Sequence, residues 1–306
     1  SMEGGRIIST EPFYAYIKIA EGCSNNCTYC AIPSIRGKYR SRRMEDIVKE
    51  ARWLAENGVT ELVVVAQDTT RYGEDIYGKS MLPELLTALC EIDGFKWIRT
   101  LYCYPERITD ELLDVIAKED KLVKYLDMPI QHCDKTILKR MNRHGDRETL
   151  TALIKKIREK IPNVTLRTTL ITGFPGETKE QFEELCEFVK EIRFERLGCF
   201  AYSPEEGTPA EKFEDQVPLK DRERRAEIIM EEQMIISDSL NEAALDSEVE
   251  VVCEGFDRYA ECYYGRSQAD APEIDGKIFF LSEDKVRVGE YVKVKIDDTM
   301  DYDLIG

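Results

Sequence analysis

Short apolar runs rich in β-branched residues alternate with amphipathic helical runs over the first two thirds of the chain. The strand-like runs include YAYIKIA at 14–20, ELVVVAQ at 61–67 and KYLDMPI at 124–130, and the helical runs include 44–58 and 178–192. Continuously apolar strands between amphipathic helices are typical of a parallel sheet covered by helices. About six such units predict an α/β fold with an open, partial (β/α)6 barrel, because a closed barrel of this type needs eight.

The pattern changes towards the C-terminus. Pro209 and Pro218 bound a linker, and residues 219–246 predict one long amphipathic helix. From Ser247 onward, apolar and polar residues alternate at period two between glycines, which predicts a small antiparallel β-barrel. We therefore divide the chain into a leader with residues left from expression, a core, a connecting helix and a barrel, at 1–12, 13–217, 218–246 and 247–306.

Two helix starts carry capping signals. Thr109 precedes an amphipathic run, and Thr178 with Gln181 has the spacing of a capping box.

Composition narrows the functional class. The chain has 306 residues, of which 42% are hydrophobic and 34% charged, as is usual for soluble globular proteins. No apolar run reaches the length of a membrane span or of a signal peptide's core, so we expect a cytoplasmic protein without a membrane partner. Its ten cysteines are then expected to be reduced thiols or metal ligands. A net charge of −17 disfavours nucleic acid and suits a basic protein partner.

Three of the cysteines lie within eight residues. Cys23, Cys27 and Cys30 have the spacing C-x3-C-x2-C, directly after the first predicted strand. A structural zinc site usually needs four ligands, and His132 and His144 are distant in sequence. A [4Fe–4S] cluster with three thiolates would leave one iron open to a small molecule, as a catalytic site does. A noncatalytic iron–sulfur or zinc module, or three unrelated loop cysteines, are the alternatives.

The cysteine motif resembles that of the radical S-adenosylmethionine (SAM) enzymes, since an aromatic residue, Tyr29, precedes the last cysteine and the motif opens a series of six β/α units. The resemblance implies one [4Fe–4S] cluster bound by three cysteines and a SAM molecule on its open iron. It also implies that reductive cleavage of SAM gives a radical that removes hydrogen from an unactivated C–H bond.

A series of further motifs is similar to those of the methylthiotransferases within this superfamily, and the terminal barrel is similar to their TRAM domain. The motifs include YLDMPIQH, TTLITGFPGET and CFAYSPEEGTPA. One subfamily thiomethylates an adenosine of transfer RNA. The other, RimO, modifies the β-carbon of an aspartate in small-subunit ribosomal protein 12. PIQHCD at 129–134 and PSIRGKYRSR at 33–42 resemble RimO, and the transfer-RNA subfamily is the alternative.

The resemblance implies further parts of the site. We expect SAM to contact Tyr29, Gln67, Gln131, Arg167 and Gly173, with no catalytic residue assigned beyond the cluster. A flavodoxin or ferredoxin is the expected electron donor. The family also has an N-terminal domain with a second cluster, so this chain is expected to be a fragment that is incomplete for full turnover.

Charge in the terminal barrel bears on the partner. Residues 247–306 contain seven Lys or Arg and fifteen Asp or Glu. A barrel that binds RNA needs a positive groove, whereas this surplus of carboxylates favours a basic protein. We therefore expect a ribosomal protein to bind there, and transfer RNA not to bind.

Overall fold

The computed structural model describes residues 8–306, so Ser1, Met2 and most of the predicted leader lie outside the described residues. The core strands of this region are β1 (Tyr14–Lys18), β2 (Ala20–Glu21), β3 (Arg40–Ser41), β4 (Glu61–Val65), β5 (Trp97–Thr100), β6 (Tyr125–Asp127), β7 (Thr165–Thr172) and β8 (Arg196–Ala201). Strands β1, β4 and β5 pair in parallel, as do β6, β7 and β8.

The two parallel sheets meet between β5 and β6. Ile98 forms a parallel bridge with Leu122, and the Cys103 amide donates to the Asp127 carbonyl at 2.9 Å. The six strands thus follow one another in sequence order around an open, curved sheet. This confirms the predicted partial barrel.

Helices cover the outer face of this sheet. They are α1 (Ile32–Arg36), α2 (Met44–Glu56), α3 (Glu74–Tyr77), α4 (Leu82–Cys90), α5 (Asp110–Lys118), α6 (Lys135–Arg140), α7 (Arg147–Lys160), α8 (Lys179–Ile192) and α9 (Leu219–Glu242). Alternate strand residues such as Ile17, Leu62 and Leu166 are buried against them in the main apolar core. Within residues 8–306, none of these helices has the length and apolar character needed to cross a membrane.

Both predicted caps are present. The Thr109 side chain accepts a hydrogen bond from the Leu112 amide, and Thr178 with Gln181 forms a reciprocal capping box at the start of α8. These caps satisfy amides that the first helical turn leaves without partners.

The terminal domain is a curled six-stranded sheet. Its strands are β9 (Glu248–Asp257), β10 (Cys262–Arg266), β11 (Ile278–Phe280), β12 (Tyr291–Lys295), β13 (Asp298–Met300) and β14 (Asp303–Ile305). In residues 247–306 the order is β12-β9-β10-β11-β14-β13, and neighbours are antiparallel except for β11 and β14. The small antiparallel barrel is confirmed, although the sequence pattern missed the short strands β13 and β14.

The terminal domain also packs into the concave inner face of the core sheet. We call residues 267–276, between β10 and β11, the floor segment. Tyr125 donates to Asp275 at 2.6 Å, and Arg196 pairs with Asp270 at 2.7 Å. Tyr125 and Arg196 are the first residues of β6 and β8. The floor segment therefore closes the barrel at the amino ends of its strands.

Candidate functional site

The three clustered cysteines lie on the loop between β2 and α1, at the opposite, carboxyl end of the core strands. Hydrogen bonds attach this loop to several neighbours: the Cys23 amide donates to the Gly37 carbonyl at 3.1 Å, and the Thr28 amide donates to the Met141 carbonyl at 3.1 Å. The Thr28 carbonyl in turn accepts from Ala210 at 3.0 Å. The loop is thus held by segments from three parts of the core.

Close backbone packing fixes the start of the loop. Gly22 has φ of 80°, and a Cβ there would lie 2.3 Å from the Lys38 carbonyl oxygen, so only glycine fits. Further along, the Asn25 side chain donates to the buried Asp68 carboxylate at 2.9 Å. Asp68 follows β4, so this contact joins the cysteine loop to the second parallel strand's carboxyl end.

The three thiols are close enough to affect one another. Burial raises the pKa of the Cys23 and Cys30 thiols, and the neighbouring Cys27 adds to both shifts. The Cys27 sulfur lies 2.6 Å from the Tyr104 hydroxyl. Among residues 8–306, no three His, Cys, Asp or Glu side chains are grouped so that they would hold a metal ion. The thiols therefore share one loop without being arranged around a common point.

The predicted ligand residue Tyr29 lies in an aromatic and cationic cluster. Its ring meets Phe174 edge-on at 6.5 Å between centroids, and its hydroxyl accepts from Arg143 at 3.3 Å. Arg143 is buried, and its guanidinium lies 3.9 Å above the Tyr104 ring. Sequence reasoning missed Arg143 and Tyr104, because nothing in their sequence spacing links them to the cysteines.

Two predicted glutamines present unpaired oxygens. The side-chain oxygens of Gln67 and Gln131 are buried, and neither has a hydrogen-bond partner in the described chain. Gln131 has φ of 69° and is bridged to Leu170 of β7. Gln67 follows β4 and Gln131 follows β6, so the two oxygens lie beyond the carboxyl ends of strands that β5 separates. Because buried polar atoms are nearly always satisfied in folded proteins, both oxygens remain able to accept a hydrogen bond from a ligand.

The predicted Gly173 has a different neighbour from the one expected. Its φ is 67°, and a Cβ there would lie 2.1 Å from the Cγ of Arg222 on α9, so glycine permits helix packing at this turn. The Gly173 amide donates to Glu177 at 2.9 Å. Glu177 also pairs with His132 at 2.9 Å and Arg225 at 2.7 Å. This buried network connects the ends of β6 and β7 to α9.

The last predicted residue, Arg167, lies between two carboxylates. It is 3.1 Å from Asp127 and 3.6 Å from Asp275 of the floor segment. Arg167 lies on β7, part-way between the floor and the cysteine loop, and its side chain is 19% exposed. It therefore connects the terminal domain to the wall of the candidate site.

A curved six-stranded parallel sheet with a three-cysteine loop after its first strand defines the class of radical SAM enzymes. The family model described as the Radical SAM superfamily matches residues 17–189, and that of the TRAM domain matches residues 247–306. The chain belongs to the RimO family of methylthiotransferases within this class, since it closely matches relatives of that name. The predicted resemblance is thus confirmed, and membership implies a radical SAM transferase that uses a [4Fe–4S] cluster and SAM.

Two relatives illustrate the match. The ribosomal protein uS12 methylthiotransferase RimO of Clostridium tetani is 52% identical over 99% of this chain and 68% of its own length. That of Clostridioides difficile is 53% identical over 98% of this chain and 68% of its own length.

More distant solved structures share the fold. Coproporphyrinogen III oxidase HemN from Escherichia coli gives a TM-score of 0.53 at 21% identity, over 76% of this chain and 54% of its own. The radical SAM methyltransferase TsrM from Kitasatospora setae gives 0.51 at 18% identity, over 63% of this chain and 38% of its own. At these identities the likeness concerns the fold alone.

Proposed function

We propose that this protein adds a methylthio group to the β-carbon of an aspartate in ribosomal protein uS12. The observation that carries the proposal is identity of 51–53% to uS12 methylthiotransferases along 98–99% of this chain. The match includes both the core and the terminal domain, so it extends beyond the cysteine motif that many radical SAM enzymes share.

We further propose that Cys23, Cys27 and Cys30 bind the cluster. In a [4Fe–4S] cube each thiolate binds a different iron, so the three sulfurs need not surround one point as zinc ligands must. The donor set and its anchored loop fit that requirement. When bound, the cluster and SAM supply the radical that removes hydrogen from the substrate. The Tyr104 hydroxyl, 2.6 Å from Cys27, is placed to donate to that sulfur and to orient it.

The unpaired oxygens of Gln67 and Gln131 are the strongest candidates for SAM contacts. Each would accept a hydrogen bond from an amino or hydroxyl group of the cofactor. Tyr29, Arg167 and Gly173 stay in the proposed site as second candidates, because each already has contacts within the protein.

The partner proposed for the terminal domain is basic uS12 and not transfer RNA. Nine of its fifteen acidic side chains are exposed, against six of its seven basic ones. Glu254, Asp270 and Asp275 instead lie close to arginines on the inner side of the domain. The external surplus of negative charge is therefore smaller than the sequence total indicates, yet it still favours a positively charged protein over phosphate. A flavodoxin or ferredoxin is the electron donor that the family resemblance supports.

The function is tested with anaerobically reconstituted protein, SAM and a reductant, in the presence of purified uS12 or transfer RNA. We expect uS12, and not transfer RNA, to stimulate SAM consumption, measured as the 5′-deoxyadenosine released. Cys30→Ala should lose the cluster's iron, while the matched control Cys262→Ala, in the terminal domain, should retain it. Stimulation of SAM consumption by transfer RNA and not by uS12 would favour the transfer-RNA subfamily. A full iron content in Cys30→Ala would reject the assignment of Cys30 as a cluster ligand.

A further inference from the structure

Tyr102 has a backbone conformation that is unusual for its residue type. It follows β5 with φ of 59°, in the left-handed region that bulky residues rarely adopt. Neighbouring groups hold it there. The Tyr102 amide donates to the buried Asp127 carboxylate at 2.9 Å, and its carbonyl accepts from the Thr69 amide at 3.0 Å. Such conformations persist where surrounding structure enforces them, and they concentrate at functional sites.

The residues on either side show what the conformation achieves. Leu101 and Cys103 are buried, and the Cys103 amide is bonded to the Asp127 carbonyl. Tyr104 reaches the Cys27 sulfur. Between these fixed positions, the Tyr102 side chain remains 40% exposed. The left-handed turn thus presents one partly exposed aromatic side chain from an otherwise buried segment at the carboxyl end of β5.

Tyr102 lies near the inner face of the sheet. Tyr16 of β1 packs there against a buried cluster that includes Val63, Trp97 and Leu101, and Tyr102 is close enough to Tyr16 to interact with it electrostatically. Burial is the main cause of the raised pKa of Tyr16, with Tyr102 among the minor ones. Tyr16 already donates to the Pro272 carbonyl at 3.4 Å. In contrast, the Tyr102 hydroxyl has no hydrogen-bond partner within residues 8–306.

We propose that Tyr102 contacts the substrate, its hydroxyl donating a hydrogen bond to the carboxylate of the acceptor aspartate. This rests on the proposed function, which supplies a carboxylate beside the reacting carbon. A phenol that is unpaired, partly exposed and held at the carboxyl end of a barrel strand suits that role, because active sites of such barrels form at this end. Hydrogen bonds to charged groups are also stronger than those between neutral groups.

The test is the affinity of reconstituted protein for purified uS12, measured by calorimetry with SAM present. Tyr102→Phe keeps the ring and removes only the hydroxyl. We expect its Kd for uS12 to rise about tenfold, as for a lost hydrogen bond to a charged group. Tyr102→Asn, which tolerates the left-handed backbone, should weaken binding at least as much. Arg193→Asn is the matched control: Arg193 has φ of 54° at the end of α8, and its replacement should leave the Kd unchanged.

A substrate variant identifies the group that Tyr102 contacts. When the acceptor aspartate of uS12 is replaced by asparagine, the charge is absent, so Tyr102→Phe and the parent protein should differ by less than threefold. Equal binding of unmodified uS12 by the parent and Tyr102→Phe would overturn this inference alone. Failure of the parent protein to bind uS12 would instead overturn the proposed function. A tenfold effect that persists with the asparagine substrate would also reject the carboxylate contact.

Discussion

Replacing Arg266 should reveal how firmly the terminal domain is joined to the core. Arg266 is 1% exposed and forms two contacts with the fully buried Glu61, at 2.6 Å and 3.2 Å. It also donates to the Asp270 carbonyl at 3.1 Å. In Arg266→Met, the apolar part of the side chain remains while the charge is lost. Among the residues that the structure describes, Glu61 then retains Arg99 as its one cationic partner, at 3.2 Å.

The expected loss is large because the pair is buried. Removing one partner of a buried ion pair typically costs about 3–5 kcal/mol of unfolding free energy, since the other charge remains desolvated. At roughly 2–4 °C per kcal/mol for a chain of this order of size, the thermal midpoint should fall by about 6–20 °C.

A second ion pair across the same interface provides the control. Lys96 lies 2.7 Å from Glu250, with side chains 42% and 36% exposed. Exposed pairs contribute about 0–1 kcal/mol, so Lys96→Met should barely change the midpoint. Urea and thermal unfolding of both variants would measure the difference. Equal stability of Arg266→Met and Lys96→Met would refute the conclusion that the buried network joins the domains.

Two further predictions concern stability. Thr178→Ala should reduce the free energy of unfolding by about 1 kcal/mol in urea titrations, because it removes the cap of α8, and an unchanged midpoint would contradict the observed capping box. Burial raises the pKa of Cys90 to about 11 and of Cys199 to about 12, so these thiols are protonated in the folded chain where unfolded thiols would ionise. Their contribution to stability is therefore complete below the unfolded value of about 9 and should be lost as pH rises from about 9 to 12, whereas stability constant over that range would contradict it.

Much of the core was predictable because its signals are local. The period of apolar residues identified the six parallel strands, and short-range side-chain spacing identified the caps at Thr109 and Thr178. The cysteine motif was equally readable, because its three members lie in one loop. Such signals depend on residues close in sequence and can therefore be recognised without knowledge of the fold.

Contacts between distant segments were not predictable in the same way. In its sequence, the floor segment resembles an ordinary polar loop. Only its contacts with Tyr125 and Arg196 show that it closes the barrel. Strands β13 and β14 were missed because each has three residues and carries aspartate. Arg167 was predicted to lie in a core strand, as it does in β7, but its pairing with Asp275 depends on the terminal domain.

The inner face of the sheet divides structural and chemical roles between the two ends of its strands. At the amino ends, Glu61 and Tyr125 bind the terminal domain through charged and hydroxyl groups. At the carboxyl ends, Gln131 and Tyr102 present side-chain oxygens that have no hydrogen-bond partner within residues 8–306. Substitutions at the first set should therefore act mainly on stability and those at the second mainly on binding, as in other barrels. Arg167 contacts both Asp127 and the floor segment's Asp275, so it connects the terminal domain to the carboxylate that accepts from the Tyr102 amide.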